Sequence, residues 1–270
     1  MLFNDFNYRD KNLSDYDCMI CSFDKSSGTV ISIGANLNFT MFKQRSNNKF
    51  MIANANYNEP LSATFQICKN PCLISADKIF TLDDVREITD WLQTERYFKF
   101  QPYNEEYDDI IYNGTFTTIS LVQHGTNIIG LEVTFVSETP WAHGQSKTIQ
   151  CSLDSQNEYI FYLDSDKYGS LYPASMEITV KEDGDLNIFN RLETNHITKI
   201  KNCSANEVIN IDFNSFTITS NHADHDIAND FNYIYLHLNK TYESAKNVLT
   251  ANMQCLVKIK YFPIRKVGVS

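Results

Sequence analysis

Two pairs of closely spaced cysteines are the first candidates in this sequence for a chemical role, the binding of a metal ion. Cys18 and Cys21 are separated by two residues, and Cys68 and Cys72 by three. Structural zinc needs four such ligands at suitable spacing. Residues three apart in a strand face opposite sides of a sheet, so Cys18 and Cys21 could not easily share a metal ion. We therefore interpret these cysteines as small buried hydrophobes and predict no metal site.

A second candidate is the polar segment from Asp164 to Gly169, which is similar to the start of a calcium loop. Such a loop ends on a bidentate Glu, and that position is Ser175 here. We predict a polar turn between strands.

The third candidate is a group of acid–base residues in a segment interpreted as a loop. His222, Asp224, His225 and Asp226 could hold a metal ion or move protons. No further ligand group is in evident register with them, which favours a solvated loop. The sequence also contains no glycine-rich phosphate loop, nucleophile elbow or HExxH helix. We therefore expect that the protein has no catalytic residues, binds no cofactor and is not an enzyme.

The acidic segment between Tyr103 and Tyr112 is a candidate contact surface. Tyrosine supplies contact area and a polar tip, as interfaces favour. The alternative is a solvated connection between strands. The predicted contact residues are Tyr103, Glu105, Glu106, Tyr107, Asp108, Asp109 and Tyr112.

One amphipathic helix, predicted over 81–95, interrupts a chain that otherwise has strand periodicity. Thr81 and Asp84 predict a capping box at its start. Phe80 and Val85 are placed to form a hydrophobic staple. The helix should bury one apolar stripe against a sheet. That stripe consists of Leu82, Val85, Ile88, Trp91 and Leu92.

Composition and charge limit the class of protein. The 270 residues are 43% hydrophobic and include 18 Phe and 15 Tyr but only 9 Gly, which favours β-structure with large side chains. A formal charge of −10 argues against nucleic-acid binding as the main function. The start of the chain has no signal-peptide pattern, and no apolar run is long enough to span a membrane. Seven cysteines, an odd number, suit a reduced compartment, so we expect synthesis in the cytoplasm.

Three hairpins are predicted from alternating apolar residues. The first has a loop of about three residues at Gly125 to Asn127 and places Ile119 and Val133 on one face. The second has a three-residue loop at Glu182 to Gly184 that would pair Val180 with Leu186. The third turns at Asn214 and Ser215 and would pair Ile211 with Ile218. The polar segment from Ser137 to Ser146, with Pro140 and Gly144, predicts the domain boundary.

Ordered landmarks in the second half carry a family resemblance. They are Gly169 to Pro173, Gly184 to Ile188, Asn206 to Asp212, Asp230 to Tyr233, Tyr242 to Thr250 and Tyr261 to Gly268. In this order the set resembles the distal tail proteins of siphophages that infect low-GC Gram-positive bacteria. The resemblance covers roughly 131–268, while the first ~130 residues match mainly by their layout of strands and one helix.

The resemblance implies a mainly β protein with two domains. Residues 1–143 would form a sandwich or split-barrel-like β-domain with the helix, and residues 144–270 a galectin-like β-sandwich. It further implies a homohexameric ring in the virion that joins the tail tube protein to the tail hub or tip protein and anchors receptor-binding protein. DNA would pass through the bore, and no membrane contact is expected.

The alternative class is a carbohydrate-binding module or tail-fibre adhesin, because a galectin-like sandwich can present a sugar groove. Such grooves usually stack a Trp or Tyr on the sugar. The chain from Ser146 onward contains no Trp, and Trp141 falls in the predicted linker, which disfavours this alternative.

Overall fold

The computed structural model describes residues 3–23, 35–45, 49–73, 78–103, 109–193 and 195–266. The chain divides into two compact units, Met1–His143 with Arg265–Ser270, and Gly144–Ile264. Both units are built mainly of strands, which confirms the predicted fold class. In the described residues, no helix is long and apolar enough to cross a membrane.

Unit 1 is an antiparallel sheet covered by one helix. Its strands are β1 Asp5–Tyr8, β2 Lys11–Asn12, β3 Cys18–Cys21, β4 Leu37–Lys43, β5 Phe50–Tyr57, β6 Ser62–Lys69, β7 Phe98–Tyr103, β8 Tyr112–His124, β9 Asn127–Ser137 and β10 Ala142–His143. Seven of them form one sheet in the order β2-β1-β7-β8-β9-β6-β3, and β4 pairs with β5 alone. A 3-10 turn, Leu13–Tyr16, follows β2.

Helix α1 runs from Leu82 to Leu92, within the predicted range. The capping box is confirmed: the Asp84 amide donates to Thr81 Oγ1 at 3.1 Å, and the Thr81 amide donates to Asp84 Oδ2 at 2.8 Å. Ile88, Trp91 and Leu92 are buried in the core of the sheet. Leu82 was also expected in the buried stripe, but it is 76% exposed, so the stripe begins at Val85.

Aromatic rings fill the core between α1 and the sheet. Phe6 stacks on Trp91 with ring centroids 5.5 Å apart, and Phe100 stacks on Phe135 at 4.4 Å. Phe116 lies against both Phe6 and Phe135. This packing explains why a glycine-poor, aromatic-rich sequence forms a stable β-domain, since each buried ring removes a large apolar area from water.

The long β8–β9 hairpin corrects the first loop prediction. His124 pairs directly with Asn127, so the turn has two residues, Gly125 and Thr126, and Gly125 takes a φ of +65°. A register shift between Val122 and Gln123 supplies the extra residue. Ile119 therefore still pairs with Val133 on one face, as predicted.

Unit 2 is a β-sandwich. Its strands are β11 Lys147–Leu153, β12 Tyr159–Tyr162, β13 Gly169–Leu171, β14 Ser175–Val180, β15 Gly184–Asn190, β16 Ile197–Cys203, β17 Val208–Asp212, β18 Thr217–Ser220, β19 Leu238–Lys240, β20 Lys246–Ala251 and β21 Cys255–Tyr261, and the chain continues to β22 Ile264–Arg265. A 3-10 turn, Arg191–Glu193, and a short helix α2, Ile227–Asp230, complete the elements. Five strands form one sheet, β11-β21-β14-β17-β18, and four form the other, β12-β20-β15-β16.

The two sheets of unit 2 share one core. Ile178 and Val257 from the five-stranded sheet, and Ile188 and Leu249 from the four-stranded sheet, are buried in the same apolar cluster. Strand β21 alternates strictly between buried and exposed residues, as expected for a sheet with one solvated face.

The register predictions for unit 2 divide into one that was right and one that was wrong. Ile211 pairs with Ile218 across β17 and β18, as predicted. Strands β14 and β15 do not pair: β14 lies between β17 and β21, and β15 between β16 and β20. The chain at Glu182 to Gly184 therefore crosses from one sheet to the other. Val180 and Leu186 are buried in the same core, so the apolar pattern alone could not exclude a hairpin.

Candidate interaction surfaces

Of the four short-spaced cysteines predicted to be buried, only Cys18 is buried; Cys21 and Cys68 are partly exposed and Cys72 is exposed. Cys18 faces the core, whereas Cys21, three positions on, lies on the opposite face. Within the described residues, no group of three or more His, Cys, Asp or Glu side chains is arranged to hold a metal ion.

The segment at Asp164 is a polar turn after β12. Asp164 forms an ion pair with Lys147, and Ser165 Oγ accepts hydrogen bonds from the amides of Lys167 and Ile264. These contacts tie the turn to neighbouring backbone, which agrees with the predicted connection between strands.

The acid–base residues of the 222–226 segment separate in the structure. His222 and Asp224 are exposed, and Asp226 accepts a hydrogen bond from Asn229 at the start of α2. The His225 side chain is buried, so it does not belong to a solvated loop. Its Nδ1 lies 2.5 Å from Glu207 Oε1, and its Nε2 lies 3.4 Å from Asp230 Oδ2.

Glu207 is the centre of this buried cluster, and the sequence reasoning missed it. Burial raises the pKa of Glu207, but hydrogen bonds from His225, Ser220 and the Ser204 amide lower it by more, so the pKa lies below its ordinary value. The cluster fastens α2 and the loop before it to the edge of the sandwich. Because the Glu207 and His225 side chains are enclosed, the cluster offers no open site for a substrate.

The predicted acidic contact segment is described only in part. Glu105, Glu106, Tyr107 and Asp108 lie outside the described residues. Tyr103 ends β7 and is exposed, and Asp109 accepts a hydrogen bond from Arg265 Nη2 at 2.7 Å. Tyr112 is only 1% exposed and packs against Phe100 and Phe135, so its ring belongs to the domain core.

The most unusual surface of unit 1 is the two-stranded sheet β4–β5. Every residue of β4, and every residue of β5 except the partly buried Tyr57, is exposed. Large apolar side chains between 43% and 67% exposed crowd these strands: Leu37, Phe39, Met41, Phe42, Phe50, Met51 and Ile52. An isolated hairpin is only marginally stable in water, and a contiguous exposed apolar patch marks an interaction site.

The register of β4–β5 sorts these side chains onto faces. Leu37 pairs with Tyr57 and Phe39 with Ala55, while Asn38 pairs with Asn56 and Thr40 with Asn54. One face near the base is therefore apolar and the other polar.

The outer part of the hairpin differs from its base. A register shift after Thr40 brings Met41 opposite Ile52 and Phe42 opposite Met51, so both faces carry apolar residues there. At the base, the Tyr57 ring contacts Trp141 edge-on, with centroids 4.9 Å apart. We refer to Leu37–Lys43 and Phe50–Tyr57 as the apolar hairpin.

Unit 2 offers a polar groove instead. It has a volume of about 530 Å³ and lies on the outer face of the five-stranded sheet. Lys258 and Lys260 face Glu177 and Asp212 there, among the hydroxyl groups of Ser146, Thr148, Ser175, Thr217 and Thr219. None of the described residues that line it is aromatic.

Comparison with protein families accounts for nearly the whole chain. Residues 1–139 match the family model described as phage tail protein N-terminal domain. Residues 141–261 match the model described as phage tail C-terminal domain. The chain belongs to this family of phage tail proteins.

Solved structures place the phage tail protein in a known fold. It is similar to the Dit protein of phage SPP1, described as a paradigm of the hub adsorption apparatus in phages that infect Gram-positive bacteria. The TM-score is 0.65 at 10% identity, over 97% of this chain and 99% of Dit. A chain of the phage P2 baseplate in its activated conformation has a TM-score of 0.44 at 11% identity, over 97% of this chain and 98% of that one. No curated protein matches the sequence.

The family match confirms the resemblance drawn from the sequence and makes the phage tail protein a component of the virion. The likeness to SPP1 Dit shows a shared fold. The sequence reasoning missed the apolar hairpin, although its residues are unusual in one respect. Phe, Met, Ile and Leu recur from Leu37 to Ile52 beside Asn38, Asn54 and Asn56, and short polar residues disfavour a fully buried strand.

Proposed function

We propose that this phage tail protein assembles into a hexameric ring at the distal end of the tail. In this role it joins the tail tube protein to the tail hub or tip protein and anchors receptor-binding protein. Membership of the phage tail family and the fold shared with SPP1 Dit support this proposal. The observation that carries it is the apolar hairpin, since a soluble monomer rarely exposes so many large apolar side chains together.

In the proposed ring, the apolar hairpin of each copy lies on the next copy. The contact joins two different surfaces, and such a head-to-tail interface forms a ring when its rotation closes. Apolar residues on both faces of the outer hairpin fit insertion into a neighbour, where both faces would be covered. Burial of about 25 cal/mol per Å² of apolar area would then stabilise a hairpin that is marginal alone.

The segment from Tyr103 to Asp109 is proposed as a second contact of the ring or its partners. Tyr103 is exposed at the end of β7. The other residues of the proposed contact are Glu105, Glu106, Tyr107, Asp108 and Asp109. Tyr112 does not belong to this proposed contact, because its ring is buried within unit 1.

Light scattering coupled to size exclusion tests the proposal. Six copies of the 31.1-kDa chain have a mass of about 187 kDa. Phe39→Asp puts a charge on the apolar face of the hairpin and should shift the protein to smaller species. The matched control is Asn38→Asp, which places the same charge on the polar face at the base of the hairpin and should leave the assembly intact.

Two results would contradict the proposal. The first is a Phe39→Asp protein that assembles like wild type. The second is an Asn38→Asp protein that dissociates to the same extent, because the charge would then act without regard to the face. Circular dichroism melts establish that both variants are folded.

The alternative, a sugar-binding sandwich, rests on the polar groove of unit 2. Its hydroxyl groups, carboxylates and ammonium groups can hydrogen-bond to a sugar. The described lining offers no aromatic ring for the apolar face of the sugar, so this alternative is the weaker one. A glycan array with the full chain tests it, and specific binding lost in Glu177→Gln would favour it.

A further inference from the structure

Two cysteines of unit 1 share the outer face of the sheet. Along β3, Cys18 and Ile20 are buried in the core, and Met19 and Cys21 lie on the other face. Along β6, Phe65 and Ile67 are in the core, and Cys68 lies on the other face. Cys21 and Cys68 are each partly exposed, whereas Cys18, Cys151, Cys203 and Cys255 are buried.

The strand register makes these two cysteines neighbours. In the antiparallel pair β3–β6, Cys21 lies opposite Gln66 and Met19 lies opposite Cys68. Cys21 and Cys68 are therefore diagonal neighbours on one face, which is within reach of side-chain contact. Each thiol perturbs the pKa of the other, which agrees with this placement on one face.

The two thiols are chemically unequal. Interaction with the Cys21 thiol lowers the pKa of Cys68, and burial opposes this only in part. The same interaction, followed by burial, raises the pKa of Cys21. Burial also raises the pKa of Cys18 and Cys255 to about 12. Of the pair, Cys68 is thus the better suited to ionise and attack, because the thiolate is the nucleophile.

We propose that Cys21 and Cys68 are an oxidation site, a dithiol that closes to a disulfide between β3 and β6. The oxidant is a low-molecular-weight disulfide such as glutathione disulfide. The Cys68 thiolate attacks one sulfur of glutathione disulfide and releases one glutathione thiolate. The Cys21 thiol gives up its proton and attacks the Cys68 sulfur, which releases the second glutathione. Two protein thiols are oxidised and one glutathione disulfide is reduced to two thiols.

The disulfide would lie at the end of the seven-stranded sheet. Strand β3 is the last strand in the order β2-β1-β7-β8-β9-β6-β3, so it pairs with β6 alone within that sheet. The bond would close a loop of roughly 47 residues, and a loop of that length restricts the unfolded chain strongly. We expect the melting temperature of unit 1 to rise by roughly 5–10 °C on oxidation. In a reducing compartment the pair stays as two thiols, and in an oxidising one it closes.

The test uses the full chain incubated with glutathione disulfide or with dithiothreitol. After oxidation, a tryptic digest should join the peptide that contains Cys21 to the peptide that ends at Lys69 and contains Cys68. Dithiothreitol should reverse both the cross-link and the rise in melting temperature. Fragmentation spectra of the joined wild-type peptides distinguish Cys21 from Cys18, which lies in the same tryptic peptide.

Matched serine variants complete the experiment. Cys21→Ser and Cys68→Ser should each lose the cross-link and the thermal shift, whereas Cys72→Ser, at an exposed cysteine, should keep both. The proposal is overturned if saturating oxidant yields only glutathione adducts at Cys68, or if the cross-link joins Cys68 to Cys18 or Cys72. An unchanged thermal shift in Cys21→Ser would also overturn it. If a variant does not fold, the wild-type fragmentation spectra alone decide.

Discussion

Replacement of Trp91 by alanine probes the packing of α1 on the unit 1 sheet. The Trp91 side chain is 3% exposed, stacks on Phe6 and Tyr16, and donates its indole N–H to the Tyr8 carbonyl at 2.8 Å. Trp91→Ala therefore leaves a large cavity and removes a buried hydrogen bond. We expect unit 1 to lose most of its stability margin.

The magnitude follows from two contributions. Truncation of a buried Trp to Ala costs about 3–5 kcal/mol, and loss of the indole hydrogen bond costs about 1 kcal/mol more. For a unit of this size, a loss of about 5 kcal/mol lowers the melting temperature by roughly 10–20 °C.

Differential scanning calorimetry of the full chain measures this loss, with two variants for comparison. Trp91→Phe retains an aromatic ring but not the N–H, and should cost about 1–2 kcal/mol. Leu82→Ala, in the same helix but at a 76% exposed position, should cost less than about 0.5 kcal/mol. If Trp91→Ala melts within 2–3 °C of wild type, or no more weakly than Leu82→Ala, the stacking described above does not hold α1 to the sheet.

Two further predictions concern charge. Because the folded pKa of Glu207 lies below its ordinary value of 4.5, its stabilisation is fully present above about pH 4.5 and is lost as the pH falls through the folded value. In thermal melts at a series of acidic pH values, the stability of Glu207→Gln should fall less steeply below pH 4.5 than that of wild type. Equal pH dependence of the two proteins would contradict this. Bore-facing residues of the N-terminal domain in the proposed ring should include more Asp and Glu than Lys and Arg, since the chain carries −10 and DNA must pass without being held. A ring structure with a basic lumen, or tight salt-sensitive DNA binding in a filter-binding titration, would refute it.

Local sequence signals predicted where the helices and strands lie better than which strands pair with each other. Thr81 and Asp84 determine the start of α1 through contacts only three residues apart, and the sequence shows such contacts directly. Periodicity also predicted that Ile88 and Leu92 are buried. It could not predict that Leu82 is exposed, because the pattern does not show how far the sheet extends beneath a helix.

Long-range pairing was harder to predict because two arrangements can satisfy one apolar pattern. Val180 and Leu186 could face the same core either as hairpin partners or as members of opposite sheets, and they belong to opposite sheets. Similarly, Glu207 and His225 are 18 positions apart, and only the folded sandwich brings them within 2.5 Å.

The apolar hairpin and the acidic segment show a different limit. Alternating Leu37 and Phe39 predict a strand, yet the sequence does not show whether the apolar face is covered by the same chain or by another molecule. Tyr103 and Tyr112 look alike in the sequence, but one is exposed and the other is enclosed by Phe100 and Phe135. Burial at such positions depends on the whole sheet.

Native mass spectrometry of the full-length wild-type chain tests the central proposal, a closed ring, most directly. The proposal predicts one dominant species with six times the chain mass, about 187 kDa from a 31.1-kDa chain, with no series of larger multiples. A protein that stays monomeric at tens of micromolar, or that forms an open-ended ladder of oligomers, would contradict the closed ring.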